Sequence, residues 1–258
     1  MVIAVAPVLW LLVTALNRPR AIVASGWNFE FSLSNFATIF EPTAPFTQQL
    51  VNSVLIVAGT LVVCLVVAAL AGYSLSKLHW PWWVTFPVLA LAAFLQLVPP
   101  MTLVPGLYLT LYQLGLLGSM GGLILLNVVF NLPFATLAMK VYFDALPNEI
   151  RESGMIDGAG EFAVFRRLML PLVAPGLAAV GVYVAIMTWN EFLMGLTLTT
   201  GGTTAPITVG IASLVQPYEI EFGPMAAVGT LTALPIIALA IVANRHIVAG
   251  LASGAVKG

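Results

Sequence analysis

Charged residues are scarce in this sequence, because Asp, Glu, Lys and Arg together make up only 7% of its 258 residues, whereas a typical soluble domain has roughly 25%. Hydrophobic residues make up 60%, and the mean hydropathy is +1.05. This composition predicts a protein embedded in lipid rather than a water-soluble one. The formal net charge of −1 and the lack of a long basic run argue against nucleic acid as a partner.

Cysteine, histidine and nucleotide-binding motifs are sparse as well. The single cysteine, Cys64, lies in an apolar run, which excludes an intrachain disulfide and a thiol-rich metal site. The two histidines, His79 and His246, fall at predicted helix ends without a carboxylate cluster nearby, so no metal site is expected. The sequence has no G-x-x-x-x-G-K-[ST] motif, so we expect no cofactor in this chain and no ATP hydrolysis by that route. A membrane-embedded enzyme would need a nucleophile and a base at membrane depth, and neither histidine is placed for that role.

The sequence does contain six apolar stretches, most of them near the length of about 20 residues that a helix needs to cross the hydrocarbon layer. They predict one all-α transmembrane domain over residues 1–258, with six membrane-spanning helices at about 1–16, 50–74, 84–107, 119–142, 172–197 and 225–244. The first stretch has no positively charged start and no cleavage site, so a removable signal peptide is not expected. Its 16 residues are few for a span, which leaves room for a start upstream.

Lys and Arg residues fall unevenly on the two sides of this six-span arrangement. Cytoplasmic loops carry an excess of them, so their count near the helix ends indicates the orientation. Only Arg18 and Arg20 lie on one side. Seven lie on the other side: Lys77, Lys140, Arg151, Arg166, Arg167, Arg245 and Lys257. The prediction is a multi-pass protein of the inner (cytoplasmic) membrane with a cytoplasmic tail at 245–258.

Proline interrupts the third predicted span, where QLVPPMTLVPGLY contains Pro99, Pro100 and Pro105. Proline removes a backbone donor and clashes with the preceding turn, so helix geometry must break there. A broken helix in a membrane is tolerated where the freed backbone faces protein or a watery cavity. The break therefore either lines a passage or is a kink near the outer interface.

The longest polar stretch on the predicted cytoplasmic side covers residues 145–171, between the fourth and fifth spans. Pro147 suits the first position of a helix, and Asp157-Gly158 has the chemistry of a turn that ends it. A second helix would follow through Glu161 and Phe165, with apolar residues three apart. We predict two short helices joined at a turn, with a partly apolar surface that suits docking into a groove of another protein. The alternative is a solvated amphipathic loop with no partner.

This segment resembles the EAA loop of ABC-importer permeases, whose pattern is roughly EAA, three residues, G, nine residues, I or L, then LP. Eight residues fall where that pattern requires them: Glu152, Asp157, Gly158, Ala159, Phe165, Leu170, Pro171 and Pro175. Ser153 and Gly154 replace the two alanines, and the glycine lowers helix propensity by up to about 1 kcal/mol. Two further segments resemble maltose-type sugar permeases in particular: Trp189-Asn190-Glu191 and the C-terminal NRHIVAGLASGAVKG.

The resemblance implies a permease subunit of a binding-protein-dependent ABC importer with the type I importer fold, which takes up a sugar or related solute. It implies that the loop is a coupling element that inserts into a cytoplasmic ATPase. The coupling residues would be Glu152, Ile156, Asp157, Gly158, Ala159 and Phe165, the last of which would pack against the partner. The implied partners are a second, homologous permease in a heterodimer, two ABC ATPase subunits that bind ATP and Mg, and an extracytoplasmic solute-binding protein.

Polar side chains inside the predicted spans are the candidates for contact with the solute. A carboxylate within a span costs about 2.5–3.5 kcal/mol on insertion scales, so Glu191 should not face lipid. Five residues are candidates for the substrate path: Asn190, Glu191, Asn127, Asn131 and Gln96. The alternative is that they hold the helices together by hydrogen bonds. A different function, an ion-coupled secondary transporter, would use Glu191 as its proton or cation site.

Overall fold

The structure is a computed structural model that describes residues 2–18, 29–199, 202–216 and 221–254, and of residues 2–4 and 242–254 the backbone alone. The described residues are mainly helical, with one isolated antiparallel bridge between Asn17 and Phe31. The helices are α1 (Val2–Ala15), α2 (Ser34–Ile39), α3 (Phe46–Lys77), α4 (Trp82–Leu97), α5 (Pro100–Gln113), α6 (Met120–Asp144), α7 (Asn148–Ile156), α8 (Glu161–Val164), α9 (Ala174–Trp189), α10 (Leu193–Thr199), α11 (Ile207–Ser213) and α12 (Phe222–Gly254). Between α8 and α9 lie a π-helical turn, Phe165–Met169, and a short helical turn, Leu170–Leu172.

The first of two compact units is held by buried polar side chains as well as apolar ones. It consists of Met1–Ile56, Thr110–Leu123 and Trp189–Ala238. Asn52 on α3 donates from Nδ2 to the carbonyl oxygens of Thr203 and Ala205 at 2.8 and 3.0 Å. The hydroxyl of Ser53 accepts the N–H of Ile207 at 2.9 Å. Thr203 and Ala205 lie outside the regular helices, and the N–H of Ile207 is in the first turn of α11, so the side chains of α3 supply partners that these backbone groups would otherwise lack.

The second unit consists of Val57–Leu109, Ile124–Thr188 and Leu239–Gly258. Its core is a cluster of buried side chains from α3, α6, α9 and the turns before α9, including Cys64, Ala68, Tyr73, Met139, Phe143, Phe165, Met169 and Val184. The helices α3 and α6 come close together at Gly72. A Cβ added to Gly72 would lie 2.8 Å from the Cβ of Met139 and 2.8 Å from the backbone nitrogen of Lys140. The glycine therefore sets the distance between the two helices, as small residues do in membrane bundles.

Three helices in the described parts of the chain are long and apolar enough to cross a membrane, namely α3, α6 and residues Phe222–Ile241 of α12. Two bent pairs raise the number to as many as five: α4 with α5, bent by 105°, and Glu161–Leu172 with α9, bent by 76°. Helix α1 has 14 residues, fewer than the roughly 20 that a span needs. The structure thus gives three to five candidate spans, and the predicted number of six is not confirmed.

The break in the third predicted span is confirmed before Pro99 and Pro100 but not at Pro105, which lies inside α5. Helix α4 ends at Leu97, and Val98 is extended, with φ −78° and ψ 119°, before Pro99 and Pro100. A residue that precedes proline is disfavoured in the helical region, which explains why α4 ends at this point.

The fifth predicted span, 172–197, needs correction, because it is not one helix. Helix α9 ends at Trp189, residues 190–192 are not helical, and α10 begins at Leu193. The physical cause is Glu191, whose side chain takes the place of the backbone partners that the first turn of α10 lacks.

The predicted tail at 245–258 begins within α12, whose backbone is helical to Gly254. The side chains of residues 242–254 and all of residues 255–258 lie outside the described part of the chain. The orientation signals from Arg20, Arg245 and Lys257 therefore also lie outside it, and the cytoplasmic tail stays a prediction.

Candidate functional site

Two short helices, α7 and α8, are joined by a tight turn at Asp157 and Gly158. Gly158 has φ +82°, a left-handed conformation that residues with a Cβ rarely adopt. The N–H groups of Gly158 and Ala159 donate to the carbonyl oxygens of Met155 and Gly154, both at 3.1 Å. These bonds satisfy carbonyl groups at the end of α7 that have no partner within the helix. The structure therefore contains the pair of short helices and the turn that the sequence predicts.

Gly154, one of the two residues that replace alanine in the EAA pattern, lies where α7 packs closely on the following turns. A Cβ added to Gly154 would lie 2.6 Å from Cδ1 of Leu168 and 3.1 Å from Cγ2 of Val164. The glycine weakens the helix by up to about 1 kcal/mol relative to alanine. It also allows a close approach that an alanine would permit only if the side chain of Leu168 moved.

The pair of helices exposes large apolar side chains. Ile156 is 85% exposed, and Met155 and Phe162 are exposed as well. We call Met155, Ile156 and Phe162 the apolar surface. The predicted coupling residues Glu152 and Asp157 are also exposed. Exposed apolar patches with polar neighbours are typical of interaction sites.

Phe165, in contrast, lies on the buried side and is only 7% exposed. Its ring centroid is 5.0 Å from that of Tyr73 and 6.3 Å from that of Phe143. The expectation that Phe165 contacts a partner is therefore corrected. Burial of a large aromatic ring is favourable, so Phe165 packs within its own unit, while Phe162 remains at the surface.

The carboxylate of Glu161 links the two short helices to each other and to α3. Arg151 donates from Nε to Oε1 at 2.8 Å and from Nη2 to Oε2 at 2.7 Å, and the hydroxyl of Tyr73 also donates to Oε1. The side chains of Arg151 and Glu161 are 20% and 33% exposed, so the pair is partly buried as well as bidentate. The bonds from Arg151 hold the pKa of Glu161 below its usual range, and Glu161 in turn raises the pKa of Arg151. Both groups are therefore ionised at neutral pH.

Lys77, the last residue of α3, makes a second link to the same segment. Its Nζ donates to the carbonyl oxygen of Leu146 at 2.7 Å and to Oδ1 of Asn148 at 2.9 Å. Lys77 is buried, and a buried ammonium group needs such partners. The end of α3 is thus hydrogen-bonded through Lys77 to Leu146 and Asn148, where α7 begins, and through Tyr73 to α8.

Both carboxylate oxygens of Glu191 accept hydrogen bonds from the start of α10. Oε1 accepts the N–H of Met194 at 2.6 Å, and Oε2 accepts the N–H of Gly195 at 3.0 Å. The first N–H groups of a helix have no backbone acceptor, and a negative charge at that end is favourable. The hydroxyl of Thr208 donates to the carbonyl oxygen of Glu191 at 2.7 Å, which fixes the non-helical link. Glu191 therefore helps to build the break between α9 and α10.

The other four substrate-path candidates have different surroundings. Asn127 and Asn131 are buried on α6 in the second unit, where Nδ2 of Asn131 donates to the carbonyl oxygen of Asn127 at 2.8 Å. Gln96 is exposed near the end of α4, and Asn190 is exposed beside Glu191 in the first unit. Within the described residues, no group of three or more His, Cys, Asp or Glu side chains is placed to hold a metal ion.

The roles of Tyr73 and Lys77 were not predicted from the sequence. Their partners Glu161 and Asn148 are 88 and 71 residues away, so no local pattern connects them. A basic residue at the end of a span is also readily interpreted as an orientation signal alone. The one available clue was the opposite charge of Arg151 and Glu161, ten residues apart across a predicted turn.

Comparison with known proteins relates most of the chain to one family. Residues 65–253 match the family described as "Binding-protein-dependent transport system inner membrane component". The chain is 30% identical to the diacetylchitobiose uptake system permease protein NgcG of Streptomyces coelicolor, over 98% of this chain and 84% of that protein. It is 32% identical to the trehalose transport system permease protein SugB of Mycobacterium tuberculosis, over 99% of this chain and 93% of that protein.

Among solved structures, the chain is similar to a chain in the crystal structure of a bacterial ABC transporter involved in the import of the acidic polysaccharide alginate. The TM-score is 0.80, and the likeness covers 95% of this chain and 91% of that chain. Because the two sequences are 19% identical, this likeness concerns the fold alone.

Proposed function

The chain belongs to the family of inner-membrane components of binding-protein-dependent transport systems, and we propose that it is the permease subunit of an ATP-driven importer for a sugar or related solute. The permease forms the path across the membrane and is not itself an enzyme. Two relatives that match nearly the whole chain are named for the uptake of diacetylchitobiose and for the transport of trehalose. These names support a carbohydrate as the class of solute.

We propose six spans, with the C-terminus in the cytoplasm. The three long apolar helices, the bent pair of α4 and α5, helix α9 and helix α1 together would supply them. In this arrangement the α7–α8 segment, residues 145–171, lies on the cytoplasmic side with its own Arg151 and together with Lys77 and Lys140. The excess of basic residues on that side supports the orientation.

We propose that the apolar surface docks onto a cytoplasmic ATPase subunit, with Glu152 and Asp157 in polar contacts at its edge. The observation that carries this proposal is the exposure of Ile156, at 85%, at the end of a helix that a left-handed glycine terminates. In this arrangement Gly158 permits the turn and the half-buried Ala159 supports it. An apolar helix end presented to water gains free energy when a groove covers it.

The complete importer would contain this chain, a second, homologous permease, two ABC ATPase subunits and an extracytoplasmic solute-binding protein. ATP and Mg would be bound by the ATPase subunits. Hydrolysis would move the docked segment, and the membrane helices would then open to one side of the membrane or the other. The solute would pass between the two permeases, since six spans are few to enclose a path.

We propose that polar residues of the spans bind hydroxyl groups of the passing sugar, with Asn190, Asn127, Asn131 and Gln96 as candidates. Glu191 contributes by building the break between α9 and α10. The ion-coupled alternative requires a carboxylate that binds a proton or cation during transport. The hydrogen bonds from Met194 and Gly195 already occupy both carboxylate oxygens of Glu191, which does not favour that alternative.

The substitution Ile156→Asp tests the docking. Because full burial of an isoleucine side chain contributes about 1.5–3 kcal/mol, this variant should bind the ATPase subunit about 10- to 100-fold more weakly. The tagged full chain is purified with its partners in mild detergent on an affinity resin. The ATPase activity that is retained on the resin with the chain is then measured. The control is Ile156→Val, which keeps an apolar side chain at the same exposed position and should retain the ATPase. Equal retention by both variants would contradict docking through this surface.

A further inference from the structure

We propose that α3 takes up the movement of the α7–α8 segment, and that Tyr73, Lys77, Arg151 and Glu161 are positioning residues that make α3, α7 and α8 move as one body. This inference rests on the proposed function, because it requires an ATPase subunit that displaces the segment. None of the four residues has to contact the ATPase or the solute.

The covalent connections do not by themselves fasten the segment to a single membrane helix. Residues 145–147 separate α7 from α6, and the chain bends by 76° between Glu161–Leu172 and α9. Tyr73 and Lys77, in contrast, are four residues apart on α3 and therefore lie on the same face of one helix. Through them α3 is bonded to the segment at Leu146 and Asn148, where α7 begins, and at Glu161 of α8.

Three helices meet at the carboxylate of Glu161. This residue belongs to α8, Arg151 belongs to α7, and Tyr73 belongs to α3. Oε1 accepts from both Arg151 Nε and the Tyr73 hydroxyl, while Oε2 accepts from Arg151 Nη2. A bidentate arginine–carboxylate pair fixes direction as well as distance. A displacement of α7 is therefore passed to α8, and through the shared oxygen to α3.

The ring of Tyr73 can be separated experimentally from its hydroxyl. The ring centroid lies 5.0 Å from that of Phe165 and 5.4 Å from that of Phe143, so the ring belongs to the buried core. The substitution Tyr73→Phe keeps this packing, changes no charge and leaves the bonds between Arg151 and Glu161 intact. It removes only the direct hydrogen bond from α3 to α8.

The test measures whether α3 and α7 keep a constant separation while the ATPase works. Cysteines introduced by Ser153→Cys on α7 and Val62→Cys on α3 are both at exposed positions and carry nitroxide spin labels. The native Cys64 is fully buried and need not be replaced. Distances between the labels are measured by double electron–electron resonance in the complete importer, without nucleotide and after trapping with ATP and vanadate.

With Tyr73 present, the mean distance should change by less than about 2 Å between the two states, which is the size of an ordinary helix shift. With Tyr73→Phe, it should change by more than that amount or its distribution should broaden. Tyr142→Phe, which removes a hydroxyl elsewhere in the same unit, is the control and should behave like the unaltered chain. The unfolding midpoint and the ATPase bound to the complex are measured for each variant, so that a merely structural loss is recognised.

Two results would overturn the inference: a distance that changes with nucleotide in the unaltered chain, or a distance that stays equally constant in Tyr73→Phe. If Tyr73→Phe does not yield an intact complex, Lys77→Met serves as the second variant, because it removes the other link to α3 and predicts the same loosening. Absence of an ATPase from the purified complex would instead contradict the proposed function, and this is seen before any distance is measured.

Discussion

The turn at Gly158 allows a direct test, because the chain offers a matched control two residues away. Gly158 and Gly160 are both exposed, and a Cβ added to either has no other atom within 4 Å. They differ in backbone conformation, since Gly158 has φ +82° and Gly160 has φ −69° with ψ 159°. Alanine at either position therefore meets no steric obstacle beyond the conformation of the backbone itself.

The difference between the two alanine variants can be worked out from these angles. A residue with a Cβ in the left-handed region costs roughly 1–2 kcal/mol, which Gly158→Ala must bear if the turn is kept. Gly160→Ala is compatible with its extended conformation and does not bear this cost. A difference of one to two kcal/mol corresponds to a factor of about 5–30 in an equilibrium constant.

The assay is the affinity of the purified ATPase subunit for each full-length variant in mild detergent, together with the thermal unfolding of the variant alone. We expect Gly158→Ala to bind more weakly than the unaltered chain by about 5- to 30-fold, since the turn must adopt its left-handed form to present Ile156. Gly160→Ala should bind as the unaltered chain does. If the two variants bind equally well, the left-handed turn is not what presents the apolar surface, and the reasoning fails.

Three further predictions concern other parts of the chain. Gly72→Ala should destabilise the protein by about 1–3 kcal/mol through overpacking. Gly106→Ala should not, because an added Cβ there has no atom within 4 Å. The two variants are compared by thermal unfolding in detergent, and equal unfolding midpoints would refute close packing at Gly72. Glu191→Ala should lower the free energy of unfolding by about 0.5–2 kcal/mol through loss of a helix cap. Glu191→Gln should lower it less, because glutamine keeps an acceptor. If both variants unfolded at the same midpoint as the unaltered chain, the cap would be refuted. Because Arg151 holds the pKa of Glu161 below the ordinary value of 4.5, the stabilisation by this pair is complete above pH 4.5 and is lost as the pH falls through the lower pKa of the folded chain. The unfolding midpoint measured against pH should therefore drop more steeply in acid for the unaltered chain than for Glu161→Gln, and parallel curves would contradict this contribution.

Local chemistry accounts for what the sequence predicted well. Proline acts on its own turn and on the residue before it, so the break at Pro99 and Pro100 could be predicted without knowledge of the fold. The turn at Asp157 and Gly158 was predictable for the same reason, because it depends on the conformational freedom of one glycine.

Glu191 shows how a local signal can be weighed wrongly. A carboxylate in an apolar stretch suggests contact with a solute or an ion. Those two roles, and a hydrogen bond between helices, were the hypotheses that the sequence supported. The N–H groups that donate to the carboxylate of Glu191 belong to Met194 and Gly195, which are only three and four residues further along the chain. The capping of a new helix was therefore accessible from the sequence, but it required the expectation that the fifth span is interrupted.

The contacts of Tyr73 and Phe165 could not be predicted in this way. Whether an aromatic side chain at the end of a helix faces a partner protein or its own core depends on which distant helix lies beside it. In this chain α3 and α6 bring Tyr73 and Phe143 to the position where Phe165 is buried. Such contacts depend on tertiary packing, which cannot be inferred from the local pattern of a single sequence.

The length of α3 explains how an ion pair can operate beside a membrane helix. Its 32 residues measure about 48 Å, whereas the hydrocarbon layer is about 30 Å thick. In the proposed arrangement the membrane-crossing run ends near residue 72, and the last turn and a half of α3, from Tyr73 to Lys77, extends beyond the hydrocarbon layer. Arg151 and Glu161 can contact this end of α3 without the free-energy cost of placing a charge in the hydrocarbon layer. The extra length of α3 thus lets a membrane helix make charged and hydrogen-bonded contacts outside the lipid.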